Sequence, residues 1–304
     1  MKLFWASLFV LFSTQFVFAQ SATNNAAAQP DTAGDAGKFS VLQAGLSYGN
    51  TTNYYGQTTA EKLGYASADI AYKNKTGLWA AASAVKLVDI SQAISEIDVS
   101  AGYDFDLTKK LSGAVSYTRF FFAKDSPLPQ SVNPNTASLG LNYDFKWWNS
   151  SLYGDYVFGN LKDDQGNSVK DFYLTFSSLK TINLGSIVKD KDYITLEPSV
   201  SFVGGTQRVG TYETKQVGTV KPKNRLRLPL PTPERPVYET TYVESSKLSL
   251  VTSGFRLPLA YNRAHYTVEA AYQLSVPNKS FEGIVHKNQS FFTLSFTYLF
   301  FKDK

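Results

Sequence analysis

The sequence predicts an all-β chain, an antiparallel up-and-down transmembrane β-barrel of about twelve strands. Three observations lead there. From Phe39 onward apolar residues recur with a period of two rather than 3.6. The connections between these alternating segments are short and long by turns, as in outer-membrane barrels. The N-terminus carries a short apolar stretch built like an export signal. Ten or fourteen strands are the alternatives, because Pro198 and Pro258 fall inside segments and each removes a ladder donor.

Residues 1–19 read as the signal peptide. Lys2 supplies a positive start, and Leu3 to Phe18 is apolar except for Ser7, Ser13, Thr14 and Gln15. Val17-Phe18-Ala19 places small residues at the −3 and −1 positions of a peptidase site, so cleavage falls before Gln20. A stretch of roughly sixteen residues is short of the ~20 that a membrane-spanning helix needs. Residues 20–37 are mostly Ala, Asn, Gln, Asp and Gly and read as a flexible periplasmic leader.

Residues 38–304 form the barrel. The clearest strands are Ile94–Phe105, Thr136–Phe145 and Tyr266–Ser275. In the first, Ile97, Val99, Ala101, Tyr103 and Phe105 share one face, and Glu96, Asp98, Ser100, Gly102 and Asp104 share the other. Val41–Tyr48, Tyr65–Lys73, Leu111–Phe121, Ser151–Phe158, Lys170–Ser178, Tyr193–Val203 and Gln289–Phe300 follow the same rule. Leu78–Val85 and Lys247–Ala260 alternate less cleanly. Most have about the 9–11 residues of a tilted bilayer-crossing strand. Every second connection is tight except Leu179–Asp192, which is too long for its position. An even strand count leaves both termini on the periplasmic side.

Soluble β-sandwiches alternate too, but their polar faces meet water and carry Lys, Glu and Thr. Here the polar faces are dominated by Ser, Gly, Ala and Asp, which suits a crowded interior. Aromatic residues gather at segment ends, among them Tyr48, Tyr72, Tyr103, Tyr143, Trp147 and Trp148, as in the interfacial girdles of membrane barrels. The last strand, Phe291 to Phe300, alternates apolar residues and finishes on Phe296, Tyr298 and Phe300. In this it resembles the C-terminal recognition strand of bacterial outer-membrane β-barrels, except that Phe301-Lys302-Asp303-Lys304 follow. The resemblance covers about a dozen residues. It implies outer-membrane localisation and assembly by the barrel insertion machinery, without naming a subfamily.

Charge then separates lumen from wall. A Lys or Arg facing lipid at the midplane costs about 2–4 kcal/mol. Asp69, Glu96, Asp98, Glu197 and Glu269 all lie opposite the large apolar residues, which assigns them to the lumen, and Arg256 joins them as a partner for neighbouring carboxylates. They form either an internal ion-pair network or a cation-favouring pore lining. The connection Thr206–Pro236 holds Arg208, Lys215, Lys221, Lys223, Arg225, Arg227 and Arg235 against Glu213 and Glu234, with Pro222, Pro229, Pro231, Pro233 and Pro236. Its proline alternation favours an extended polyproline II course. Read as an external loop, it is a solvated connection, a constriction folded over the acidic lumen, or a binding segment for phosphates of lipopolysaccharide or an anionic ligand.

Other function classes recede. With no Cys and two His in 304 residues, disulfides, thiolate or multi-histidine metal sites and cysteine nucleophiles are excluded, and no cofactor motif is present. The net charge of +5 points to nucleic acid only until it is located. Thr206–Pro236 carries all of it, and the rest of the mature chain nets −1. Some outer-membrane barrels are phospholipases or proteases, but His265 near Asn262 falls in a periplasmic turn, and His286 near Glu282 is a lone loop histidine. The expected function is therefore a passage for small polar solutes or ions, without catalysis. The alternative is a plugged structural or adhesion barrel that binds a partner or lipopolysaccharide through its external loops.

Overall fold

A computed structural model describes residues 40–53, 55, 63–88, 94–123, 133–159, 162, 166, 168–188, 191–220, 235–278 and 287–300; between 207 and 247 only the backbone is described. The signal peptide, the leader and Phe301–Lys304 lie outside the described residues. Fourteen strand segments follow in order: β1 (Val41–Gly49), β2 (Tyr65–Lys73), β3 (Leu78–Leu87), β4 (Glu96–Asp106), β5 (Leu111–Phe122), β6 (Asn135–Asp144) and β7 (Asn149–Phe158). After them come β8 (Asp171–Leu179), β9 (Ile182–Gly185), β10 (Asp192–Leu196), β11 (Ser199–Val220), β12 (Arg235–Arg263), β13 (Tyr266–Pro277) and β14 (Gln289–Phe300). From β1 to β8 each segment pairs antiparallel with the next, β12 to β14 do the same, and β1 pairs with β14.

The fourteen segments make twelve barrel strands. β8 continues as β9 after Lys180 and Thr181, and β10 continues as β11 after Glu197 and Pro198. β11 pairs with β8, β10 pairs with β9, and β10 also pairs with β12, which closes the sheet on itself. Closure satisfies the ladder groups of every strand without an edge, the condition for a sheet to cross lipid.

β9 removes the one anomaly in the connection pattern. Within the expected connection Leu179–Asp192, Ile182–Gly185 pairs with β10, so the turn proper shrinks to the residues between Gly185 and Asp192. The Asp192 carboxylate shapes that turn, accepting from the Ser186 hydroxyl and from the N–H groups of Ile187 and Val188. The tight turns now all lie at one end with both barrel termini, and the long connections lie at the other.

A proline as far inside a strand as Pro198 needs a bulge or a break in the ladder, and the register shifts at Ile194/Thr195 just before it. The strand stops pairing at Glu197–Pro198, while the Lys180 N–H donates to the Pro198 carbonyl and the Glu197 N–H to the Pro258 carbonyl. Because Leu196 pairs with Leu259, the two prolines sit beside one another on the same seam. One interruption of the ladder thus absorbs both missing donors, with an irregularity at Ile194/Thr195 nearby. Pro258 lies five residues inside the end of β12, deeper than the rim position its segment suggests.

The outer wall is apolar along its whole height. Leu46, Ile70, Val99, Val115, Leu139 and Leu294 are exposed in its middle. Tyr48, Tyr117, Phe121, Tyr156 and Phe292 are exposed towards the long-connection end, and Tyr72, Tyr103, Tyr143, Trp147 and Trp148 towards the tight-turn end. Water does not tolerate such a continuous surface on a monomer, whereas lipid with two aromatic girdles does. The chain is an outer-membrane-type β-barrel. No helix among the described residues is long and apolar enough to cross a membrane.

Thr206–Ser249 forms a second compact unit. The sequence reads most of it as an irregular connection, yet the backbone is strand as far as Val220 and again from Arg235. Thr206–Val220 and Val237–Val243 are rich in Thr, Val and Tyr, residues that favour extended backbone. Four of the five prolines, and the polyproline course expected at Leu228–Pro233, lie outside the described residues.

Candidate functional site in the lumen

Strand alternation carries the predicted charges to the inside. Along β4, Glu96, Asp98 and Ser100 are buried while Ile97, Val99 and Tyr103 are exposed. Asp69 on β2 sits between exposed Ala68 and Ile70 and points the other way. Its carboxylate lies over Gly45 of β1, where an added Cβ would come within 2.6 Å of its oxygens. A glycine at this cross-strand position makes room for the acid.

Arg256 of β12 and Glu269 of β13 form the ion pair that the sequence suggests, reaching diagonally between neighbouring strands. The two side chains retain 40% and 25% of their accessible surface, so this part of the lumen is open to solvent. Glu197, at the break between β10 and β11, accepts a hydrogen bond from the Thr181 hydroxyl at 3.0 Å, across the matching break between β8 and β9. The seam created by the prolines therefore holds a luminal carboxylate.

A second ion pair lies outside the predicted set. Lys73 Nζ meets Asp104 Oδ2 at 2.6 Å, and Trp79 Nε1 donates to Asp104 Oδ1 at 2.9 Å. All three are luminal and near the tight-turn end. The indole lies on Gly102, where a Cβ would approach Trp79 Cζ2 to 2.4 Å and the Val115 carbonyl oxygen to 2.7 Å. Asp104 shares the polar face of Glu96 and Asp98 in sequence. Lys73, the last residue of its strand, carries no signal that distinguishes it from a turn lysine.

The long-connection end of the lumen holds a buried apolar cluster. Val85, Leu87, Phe120, Val157, Val203 and Val251 form one buried cluster, and Tyr55, from the connection between β1 and β2, is part of it. Tyr55 reaches the far wall. Its ring stacks on Tyr173 of β8 with centroids 4.0 Å apart, and its hydroxyl donates to Asp155 of β7 at 2.5 Å. Its carbonyl accepts from the Thr252 hydroxyl of β12 at 2.7 Å. Its backbone has φ of +45°, a left-handed conformation that a bulky residue holds only where the surroundings fix it. Three contacts on three strands fix it here. Sequence periodicity cannot find such a residue, because connections have no period.

Of the basic residues, Arg208 and Lys215 lie on β11 and Arg235 opens β12; Lys221, Lys223, Arg225 and Arg227 fall outside the described residues. His265 stacks on Tyr298 in its tight turn and lies 3.3 Å from the Leu299 carbonyl oxygen. Asn262 is bound up with Thr195 and Thr267. His286 and Glu282 lie outside the described residues. Among the described residues no group of three or more His, Cys, Asp or Glu is arranged to hold a metal.

No protein-family model matches the chain, and no curated protein matches it in sequence. Solved structures that resemble it include the KdgM porin, at 8% identity over 85% of this chain and 98% of that one, TM-score 0.44. The NanC porin matches at 10% identity over 84% and 98%, TM-score 0.44. An outer-membrane channel from Pseudomonas putida F1 matches at 11% identity over 86% and 96%, TM-score 0.48. At these values the likenesses decide nothing about function, and the barrel assignment rests on this chain's own strand pairing and apolar wall.

Proposed function

We propose that the protein is a channel of the bacterial outer membrane for small polar solutes or ions, held closed at its external end by Tyr55. The observation that carries this reading is the unequal filling of the lumen. The tight-turn half is lined by Lys73, Asp104, Arg256, Glu269 and Glu197, with solvent reaching Arg256 and Glu269. The long-connection half is stopped by an apolar cluster whose member Tyr55 belongs to a connection rather than to the wall. A barrel designed only for rigidity needs no charged, solvent-reached cavity, whereas a passage does. The net acidic lining favours cations.

The test is osmotic swelling of proteoliposomes holding the refolded protein. The parent should swell slowly in small sugars and salts, and Tyr55→Ala severalfold faster. Tyr55→Phe keeps the stack on Tyr173 but loses the bond to Asp155, and should fall between them. If neither parent nor Tyr55→Ala passes any solute, the channel reading fails. The second reading, a plugged barrel that recognises a partner through its external face, then takes its place, favoured by the same apolar cluster.

The basic segment Thr206–Pro236 enters this reading as an electrostatic element at the external face, either for lipopolysaccharide phosphates or for setting solute preference. Its positive charge is opposite to that of the lumen, so any effect on permeation should depend strongly on salt.

A further inference from the structure

Glu96 and Asp98 present a problem that the channel reading leaves unused. Both residues are 0% exposed, their carboxyl groups lie within hydrogen-bonding reach of each other, and no donor from any other residue reaches the four oxygens. Their direct cross-strand neighbours are Val85 and Phe122 for Glu96, and Ser83 and Phe120 for Asp98. Three of these four are apolar. Ser83 is 3% exposed, and its hydroxyl also lacks a hydrogen-bond partner. Facing cross-strand residues hold their Cβ atoms about 5 Å apart, and residues two apart on one strand face the same way. Five oxygens, from two carboxyl groups and one hydroxyl, therefore share one patch of the inner wall, where no other side chain donates to them.

Buried polar groups without partners are rare, and two unpaired carboxylates side by side are costly unless something positive lies between them. A proton shared by the two acids would serve only two of the five oxygens. A monovalent cation would leave a net charge buried among Val85, Phe120 and Phe122. A hard divalent cation matches the donor set in charge and in kind, since such ions take oxygen ligands, accept carboxylates in either mono- or bidentate fashion and complete their shell with water. We propose that Ser83, Glu96 and Asp98 form a binding site for a divalent cation of the calcium type. The site ties β3 to β4 at the long-connection end of the lumen, and it stands whether or not the lumen conducts.

The experiment is calorimetric titration of the refolded, chelator-washed barrel in detergent with calcium chloride. One equivalent of Ca²⁺ should bind. Glu96→Gln and Asp98→Asn, each removing one charged ligand, should weaken binding by roughly tenfold or more, and Ser83→Ala severalfold. Asp144→Asn, at a tight turn, should leave it unchanged. A parent that binds no Ca²⁺ at millimolar concentration overturns the proposal, and so does a doubly substituted Glu96→Gln, Asp98→Asn protein that binds as tightly as the parent. Folding is checked by the difference in gel mobility between boiled and unboiled samples. If the carboxyl variants do not fold, Ser83→Ala decides, and unchanged affinity in that variant also overturns the site.

Discussion

At the scale of single residues, the inner wall is a set of close fits between small and large side chains on adjacent strands. At Gly102, beneath the Trp79 indole, movement of the ring alone cannot make room, because the Val115 carbonyl closes the other side. Gly102→Ala should therefore cost about 1–3 kcal/mol, the usual penalty for overpacking, read as a lower denaturant midpoint for unfolding in micelles. An unchanged midpoint would mean that the indole does not rest there. The luminal charges lead to a prediction of a different kind. In the Tyr55→Ala background, neutralising Glu197 and Glu269 to Gln should lower the ratio of cation to anion permeability measured by reversal potential. A ratio that stays put would remove these residues from the conducting path. Alternation alone places Asp69, Glu96, Asp98 and Glu269 on the inner face, and Arg256, expected to partner neighbouring carboxylates, pairs with Glu269. Tyr55 and Lys73 are invisible to the same reasoning, since one sits in a connection and the other at a strand end.

Among the elements, the strand boundaries follow the alternation closely; Tyr65–Lys73 and Gln289–Phe300 coincide with their expected limits. Departures cluster where a second force acts on the backbone. The two prolines divide one strand into β10 and β11 and let β9 extend the neighbouring one, which a purely periodic reading takes for a connection. Along β12 both Val251 and Thr252 are buried in succession, so the alternation slips by one residue there, and this is why Lys247–Ala260 reads weakly in sequence. The basic segment is the other departure, its Thr- and Val-rich flanks being strand. Deleting residues 221–234, which carry four basic side chains against Glu234, should reduce retention of the barrel by immobilised lipopolysaccharide at low salt and have little effect at high salt. Equal retention of parent and deletion at both salt levels would exclude phosphate binding by this segment.

For the whole molecule, the decisive relation is between an apolar outer wall and a charged inner one. Leu139, exposed at the middle of β6, should not tolerate a charge: Leu139→Arg should destabilise the folded barrel by about 2–4 kcal/mol in bilayers, the range for a basic residue facing lipid at the midplane. The fold was legible in the sequence because lipid imposes one rule on every strand at once. The place of Tyr55 inside the lumen was not, because it is set by contacts with three distant strands.

The sequence has no cysteine, so single cysteines can be introduced one at a time along β4 and labelled with a nitroxide without background. Collision with oxygen dissolved in the bilayer, set against collision with a water-soluble relaxant, reports which medium each position meets. Positions 97, 99, 101 and 103 should show high oxygen and low relaxant collision, and positions 98, 100, 102 and 104 the protection of a packed or aqueous interior, giving a clean period of two. Water-soluble relaxant reaching positions 97, 99, 101 and 103 freely would contradict the account, for it would mean that the apolar face of this sheet is not turned towards lipid.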